Sequence, residues 1–448
     1  MAITNNRLTP GEYVENFGDI HPPFETRDAA LVEANRCLYC YDAPCTKSCP
    51  TGIDVPKFIK QIATDDLKGA ARTIFISNIM GGGCSRVCPV EKLCEGACVY
   101  NLMEEKPISI ARLQRLPTDE AMRRKWPLFV RKPALGKRVA IVGAGPAGLS
   151  AAHVLSREGI DVTIYEKEAR GGGLMTYGVA AYKVTPDYCA EELEYILSLG
   201  GITIQYNTSL GKDLTLQHLR EQYDAVFLAF GVGLARRLDI PGEELAGVVN
   251  ALKFIYDIRT EGFPAVPVGD KVAVIGMGMT AIDAATQARR LGAGEVTLVY
   301  RRTETEMPCT QKELEIARQD GCRIHWLAAP QAVIGAGGHV TGLRCERMEL
   351  GPPDAGGRRS PQPTGETFTL DVDMVIKATG QMPFEELALD AGVGHRGGKV
   401  AVDGAGATSL PGVFAGGDCV NGGKEVVDAV QAGKLSAAAI LSYLQITH

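Results

Sequence analysis

Aromatic side chains are scarce in this 448-residue chain, at 6 % of the total with two tryptophans, and there are only seven histidines. None of those histidines pairs with a serine or cysteine in a recognisable nucleophile motif, so hydrolytic chemistry has no support. An excess of basic charge is also missing. Lys and Arg number 47 against 53 Asp and Glu, a net charge of −6, which leaves no basic stripe for nucleic acid. Long apolar runs are absent as well: the most apolar stretch, Val139 to Leu155, is 17 residues threaded by Gly143, Gly145, Pro146 and Gly148. That texture suits a strand, turn and helix better than a membrane span. The opening MAITNNRLTP has neither a basic n-region nor an apolar h-region, so a cytosolic protein is expected, and with it reduced thiols rather than a disulfide framework. The length suggests about three domains.

Cysteine, by contrast, is abundant and clustered. Eight of the thirteen fall between Cys37 and Cys98. They form a CxxCxxxxCxxxCP run (Cys37, Cys40, Cys45, Cys49, Pro50) and a second run of Cys84, Cys88, Pro89, Cys94 and Cys98. Thiolates at such short separations suit iron–sulfur cubes, and the CxxxCP ending resembles bacterial ferredoxin runs, in which the last cysteine serves the other of two clusters. Two 4Fe–4S clusters with exchanged ligands are the first expectation. Zinc would ask for paired CxxC or for Cys with His at finger spacing, and the one histidine in this region, His21, lies outside both runs. The remaining cysteines, Cys189, Cys309, Cys322, Cys345 and Cys419, are scattered and read as thiols without chemistry.

Residues 1–116 alternate polar helical segments with cysteine loops, with apolar residues at helical spacing over Asp54–Ala71 and Ile108–Arg115. They are expected to form a helical cluster domain, followed by a charged, proline-bearing linker over 117–136. From Lys137 the texture becomes α/β, and one plan occurs twice. KRVAIVGAGPAGLSAAHVLSREGIDVTIYEKE (137–168) and KVAVIGMGMTAIDAATQARRLGAGEVTLVYRR (271–302) each read as strand, glycine turn, helix and strand. Two Rossmann-like dinucleotide-binding domains are implied.

In the first, Gly143, Gly145 and Gly148 form GxGxxG between strand and helix, letting the backbone approach a pyrophosphate at the helix N-terminus, where Ala147 also lies. Glu166 ends the next strand, where a carboxylate can accept from a ribose hydroxyl. Gly171–Gly173 and Leu174 follow that strand; a flexible loop is the plainer alternative. In the second, Gly276, Gly278, Thr280 and Ala281 occupy the turn, with alanine at the position that needs only a small side chain. Arg301 and Arg302 then stand where an acid would bind a ribose hydroxyl, and guanidinium groups suit the 2′-phosphate of NADP. Glu304 and Glu306 follow closely and would weaken that positive potential, which keeps NAD open. Near the C-terminus, Gly417 and Asp418 lie between a short strand and an apolar helix over 426–444, where ordinary helix capping is the alternative role for the aspartate.

CLYCYDAPCTKSCP (37–50), GAARTIF (69–75), CSRVCPVEKLCEGAC (84–98) and PISIARLQR (107–115) closely resemble the N-terminal cluster domain of dihydropyrimidine dehydrogenases. The first glycine turn, YEKEARGGGL, the second turn and FAGGD extend the resemblance over nearly the whole chain, nearest the bacterial separate-subunit form. The wider family includes the small subunit of glutamate synthase. The resemblance implies an FAD domain in two parts, 137–253 and 375–448, with an NAD(P) domain inserted at 254–374. It implies that Gly143, Gly145, Ala147, Gly148, Glu166, Gly173, Leu174, Gly417 and Asp418 serve FAD. It implies Cys37, Cys40, Cys45 and Cys98 as ligands of one cluster, and Cys49, Cys88, Cys94 and Gln114 as ligands of the other. Counting cysteines alone would make Cys84 the eighth ligand; the family pattern replaces it with Gln114, which separates this branch from glutamate synthase small subunits. Two departures stand out: GVAAYKVTP (178–186) replaces the family's GIPxFRLP-like loop beside the flavin, and TETEMP (303–308) lacks a further arginine.

The expected function is electron input. Nicotinamides deliver electron pairs as hydride, clusters carry single electrons, and a flavin handles both. By resemblance, electrons from NAD(P)H pass through FAD and two clusters to a separate FMN and iron–sulfur subunit that reduces uracil or thymine, since no barrel-sized segment remains for an FMN site in this chain. Hydride transfer to FAD needs no side-chain acid, so no catalytic residue is assigned. The alternatives are the small subunit of a glutamate synthase and a non-catalytic redox-sensing or assembly protein.

Overall fold

The computed structural model describes residues 3–446 except 234, 355 and 358. It divides into two compact units. One comprises Asp19–Thr176, Lys183–Gly233 and the chain from Met382 onward; the other comprises the N-terminal stretch up to Gly18, Tyr177–Tyr182 and the segment after Gly233 up to Gln381. No helix among the described residues is long and apolar enough to cross a membrane.

The larger unit begins with a helical bundle. The apolar stretch expected as one helix over 54–71 is two, Val55–Ala63 and Leu67–Ser77, because the chain turns at Asp65 with φ +67° and restarts with Asp66 accepting from the Gly69 N–H. Phe58, Ile59, Ile62, Ile74, Phe75 and Leu113 are buried, each at most 1 % exposed, and form the core shared with the helix Ile110–Arg123. That helix continues through Pro117, so the chain at 117 is helix rather than linker. An interior proline costs about 3 kcal/mol. The buried Arg115, Thr118 and Ala121 keep the second half of the helix on the bundle, with Arg115 paired to Asp19 at 2.8 Å.

The same unit holds a five-stranded parallel sheet in the order Val413–Ala415, Ala225–Leu228, Arg138–Val142, Asp161–Tyr165, Ile202–Gln205. Its central strands are buried on both faces, which is why they read as unbroken apolar runs. The helices Pro146–Arg157 and Val426–Tyr443 cross closely enough that a side chain at Gly433 would overlap the Ala147 carbonyl oxygen.

The second unit has its own parallel sheet in the order Val248–Asn250, Met374–Lys377, Lys271–Ile275, Glu295–Tyr300, Arg323–Trp326. Sheet pairing carries Val248–Asn250 and Met374–Lys377 into this unit, so its borders lie at 233/234 and 381/382, outside the 254–374 read from sequence. Residues 3–18 also belong to this unit, whereas the sequence placed the start of the cluster domain at residue 1. Tyr13 and Phe17, four residues apart on the helix Pro10–Asn16 and its cap, are buried, and Phe17 stacks on Phe263 with ring centroids 3.9 Å apart. A three-stranded antiparallel meander, Ala328–Ala336, His339–Pro353 and Arg359–Leu370, is an element the sequence reading did not anticipate.

Candidate cluster cavities and nucleotide-binding turns

In the first cysteine run, left-handed turns at Tyr39 (φ +50°) and Ala43 (φ +30°) fold the loop back on itself before the short helix Pro44–Ser48. Cys37, Cys40 and Cys45 are thereby brought to one recess, and Cys98, just before the turn Val99–Met103, closes it. The other walls of the recess are largely apolar, with Val55, Ile59 and Ile110 among them. A second recess is lined by Cys49, Cys88, Cys94 and Gln114 and also by Cys84. Each recess draws cysteines from both runs.

The chemistry of the donor set fits clusters. Burial pushes the Cys37 thiol up and the Cys45 thiol up to about 11. The hydrogen-bonded Cys84 side chain, and then burial, hold Cys88 well above its ordinary value, and burial raises Cys94. Neutral thiols group there without charge repulsion, and the iron of a cluster would take them as thiolates. Among the described residues no group of three or more His, Cys, Asp or Glu is arranged to hold a single metal ion. Gln114 is 6 % exposed and its Nε2 donates to the Gly81 carbonyl at 2.5 Å, leaving Oε1 as the atom with lone pairs for a metal.

The sequence reading passed over the three glycines before Cys84. A Cβ on Gly82 would overlap the Tyr188 hydroxyl, and one on Gly83 would stand 2.6 Å from Glu192 Oε2. The GGGC string was the available signal.

The first nucleotide turn lies in the same unit. Gly143 has φ +107°, and a side chain there would overlap the Ala229 carbonyl oxygen. Gly145 caps the helix Pro146–Arg157, and a Cβ on it would meet only the Gly173 Cα, at 3.8 Å, so the space over this N-terminus stays open for a phosphate. Gly148 must be small because a Cβ would overlap the Gly143 carbonyl. Gly173 (φ +55°) backs onto Gly145, with the partly exposed Leu174 beside it, and a Cβ on Gly417 (φ +76°) would touch Ala147 at 3.0 Å. The residues expected at the flavin are therefore neighbours. Glu166 accepts from the Ala144 N–H at 2.7 Å and the Glu168 N–H at 2.9 Å; burial raises its pKa and those two bonds oppose the rise. Its carboxylate braces the turn, with lone pairs remaining for a ribose hydroxyl. Asp418 begins the short helix Asp418–Asn421 and accepts from the Lys424 N–H at 3.2 Å, and burial raises its pKa.

In the other unit, Gly276 (φ +133°) repeats the role of Gly143, here against the Ala378 carbonyl. Gly278 caps the helix Met279–Arg290, Thr280 is half-buried in its first turn, and Ala281 is fully buried. Arg301 is exposed and Arg302 half-buried, and its Nε lacks a hydrogen-bond partner. The nearby acids are engaged elsewhere: Glu304 pairs with Arg318 at 2.7 Å and Glu306 closes a capping box with Thr303. The departing loop also finds partners in this unit, with Ala180 and Ala181 N–H donating to Asp283 and Gln287, both at 3.1 Å.

Two family models match the chain: pyridine nucleotide-disulphide oxidoreductase over residues 137–433, and dihydropyrimidine dehydrogenase domain II, 4Fe-4S cluster, over residues 13–126. The NADP(+)-dependent formate dehydrogenase subunit beta of Moorella thermoacetica is 38 % identical over 90 % of this chain and 60 % of its own length. The glutamate synthase (NADPH) small chain of Escherichia coli (strain K12) is 34 % identical over 96 % of this chain and 94 % of its own. Among solved structures, FprA of Mycobacterium tuberculosis in complex with NADPH shares the fold with a TM-score of 0.60 at 21 % identity, over 70 % of this chain and 85 % of that one. FAD, 4Fe–4S and NAD(P) are the cofactor set of this oxidoreductase. The chain belongs to the pyridine nucleotide-disulphide oxidoreductase family, among the glutamate synthase small-chain-like members whose flavin domain follows a 4Fe–4S domain.

Proposed function

We propose that this chain is the electron-input subunit of a dihydropyrimidine dehydrogenase. In this reading the chain would hold FAD and two 4Fe–4S clusters, which would supply an electron path from NADPH to an FMN-bearing iron–sulfur partner subunit acting on the 5,6 double bond of uracil or thymine. The observation that carries the reading is Gln114, buried in the second recess beside Cys49, Cys88 and Cys94. A bound flavin supplies the conversion between electron pairs and single electrons.

The chain's own residues do the rest. Cys37, Cys40, Cys45 and Cys98, between largely apolar walls, would hold one cluster, and Cys49, Cys88, Cys94 and Gln114 would hold the other. Gly143, Gly145 and Gly148 admit the flavin's pyrophosphate to the helix N-terminus, and Gly173 and Gly417 keep the approach clear. Arg301 and Arg302, with Glu304 and Glu306 turned to other partners, favour the 2′-phosphate of NADPH over NADH.

A glutamate synthase small-chain role is the second reading, favoured by alignment over 94 % of such a protein. Affinity capture of the tagged chain from its own cells, followed by assay of NADPH and NADH oxidation, separates the two. An FMN-bearing partner and uracil-dependent oxidation support the first; a glutamine-dependent partner without uracil dependence overturns it in favour of the second.

A further inference from the structure

Thr51 and Lys434 flank the second recess without belonging to its expected ligand set. Thr51 Oγ1 lies 3.3 Å from Cys49 Sγ, and Thr51 is 5 % exposed. Once Cys49 binds iron as a thiolate, the hydroxyl holds the only proton of that pair, so it must be the donor. The Thr51 carbonyl accepts from Lys434 Nζ at 3.3 Å, and the Ser77 carbonyl accepts from the same Nζ at 2.6 Å. Burial lowers the Lys434 pKa from its ordinary value, and the nearby Cys49 opposes that fall. Lys434 lies on the helix Val426–Tyr443, two turns beyond Val427, which itself lines the recess.

We infer that Thr51 and Lys434 are positioning residues that make the cluster at Cys49 easier to reduce, the first by hydrogen bonding to a ligand sulfur and the second by its positive charge. Reduction adds negative charge to a cluster, and both a donor on sulfur and a nearby cation stabilise that form. The flavin-domain helix thus carries the charge that biases electrons toward the cluster it lines. This inference rests on the two-cluster reading above.

The test is a potentiometric titration of the whole protein followed by electron paramagnetic resonance. It compares the wild type with Thr51→Val, Lys434→Met and Lys434→Arg, and uses Gln114→Cys to assign the signal of the second cluster. At a fixed potential, Thr51→Val and Lys434→Met should each lower the reduced fraction of that cluster several-fold. The other cluster should stay unmoved, and Lys434→Arg should restore the wild-type curve. Variants with full iron and flavin whose second-cluster curve is unchanged, or in which both clusters shift alike, would overturn the inference. A fold defect would show separately as lost iron or flavin, and Thr51→Ser, which keeps the donor, then provides the comparison expected to titrate as wild type. Wild-type iron short of two clusters would overturn the cluster reading itself.

Discussion

The Glu192 carboxylate accepts a hydrogen bond from the Gly83 backbone N–H at 2.7 Å, joining the helix Pro186–Leu197 to the start of the helix that carries Cys84. Glu192 is 2 % exposed, and burial, opposed by Gly83 and the Arg86 guanidinium, pushes its pKa from 4.5 up to about 7. Between those values the folded protein keeps a proton that the unfolded chain has released, so this group's stabilising effect is full at low pH and is lost as pH rises to about 7. Glu192→Gln should match the wild type in denaturant midpoint near pH 5 and exceed it near pH 8. Parallel stability curves for the two proteins would show that this carboxyl does not titrate as described.

Cluster occupancy should divide between the two recesses. Cys45→Ser, at the first, and Cys94→Ser, at the second, should each remove about four of about eight irons per chain. Each variant should leave the visible spectrum of the other cluster in place. Loss of all iron from both variants would mean that the sites are not independent, and an unchanged iron content would remove that thiol from the ligand set.

Arg301→Ala combined with Arg302→Ala should raise KM for NADPH at least about tenfold, the order expected when a charge-assisted contact is lost, while KM for NADH changes little. Steady-state oxidation with an artificial acceptor reads this without the partner subunit. Equal effects on both nucleotides would assign the pair a structural role.

Gly433→Ala should be costly although alanine favours helices. The added methyl would overlap the Ala147 carbonyl and stand 3.1 Å from the Ala151 nitrogen, both backbone atoms that cannot swing aside. Prising apart the helices Pro146–Arg157 and Val426–Tyr443 should cost about 1–3 kcal/mol, seen as a lower Tm, and should reduce flavin retention because Ala147 sits in the nucleotide turn. Full flavin content at wild-type Tm would contradict the tight crossing.

Much of the chemistry was readable along the chain because it is local. Cysteines three to six residues apart lie within a turn or two of backbone, so their spacing alone announces a shared centre. Gly143 and Gly276 sit at positive φ where strand passes to helix, and that requirement leaves a motif. Domain borders were less readable. The strand Met374–Lys377 looks like any apolar run until it pairs with Lys271–Ile275, and Phe17 resembles any surface aromatic until it meets Phe263.

The sequence by itself determined two clustered thiol runs, two dinucleotide turns and an electron-carrying class of chemistry, since each depends on residues within one strand–turn–helix or one loop. Only the tertiary structure decided that Cys84 shares the second recess with Gln114, that Glu192 reaches Gly83, and that Lys434 reaches Ser77. Those partners lie between 30 and 357 residues apart, joined by the packing of separate elements, and packing leaves no spacing pattern in the chain.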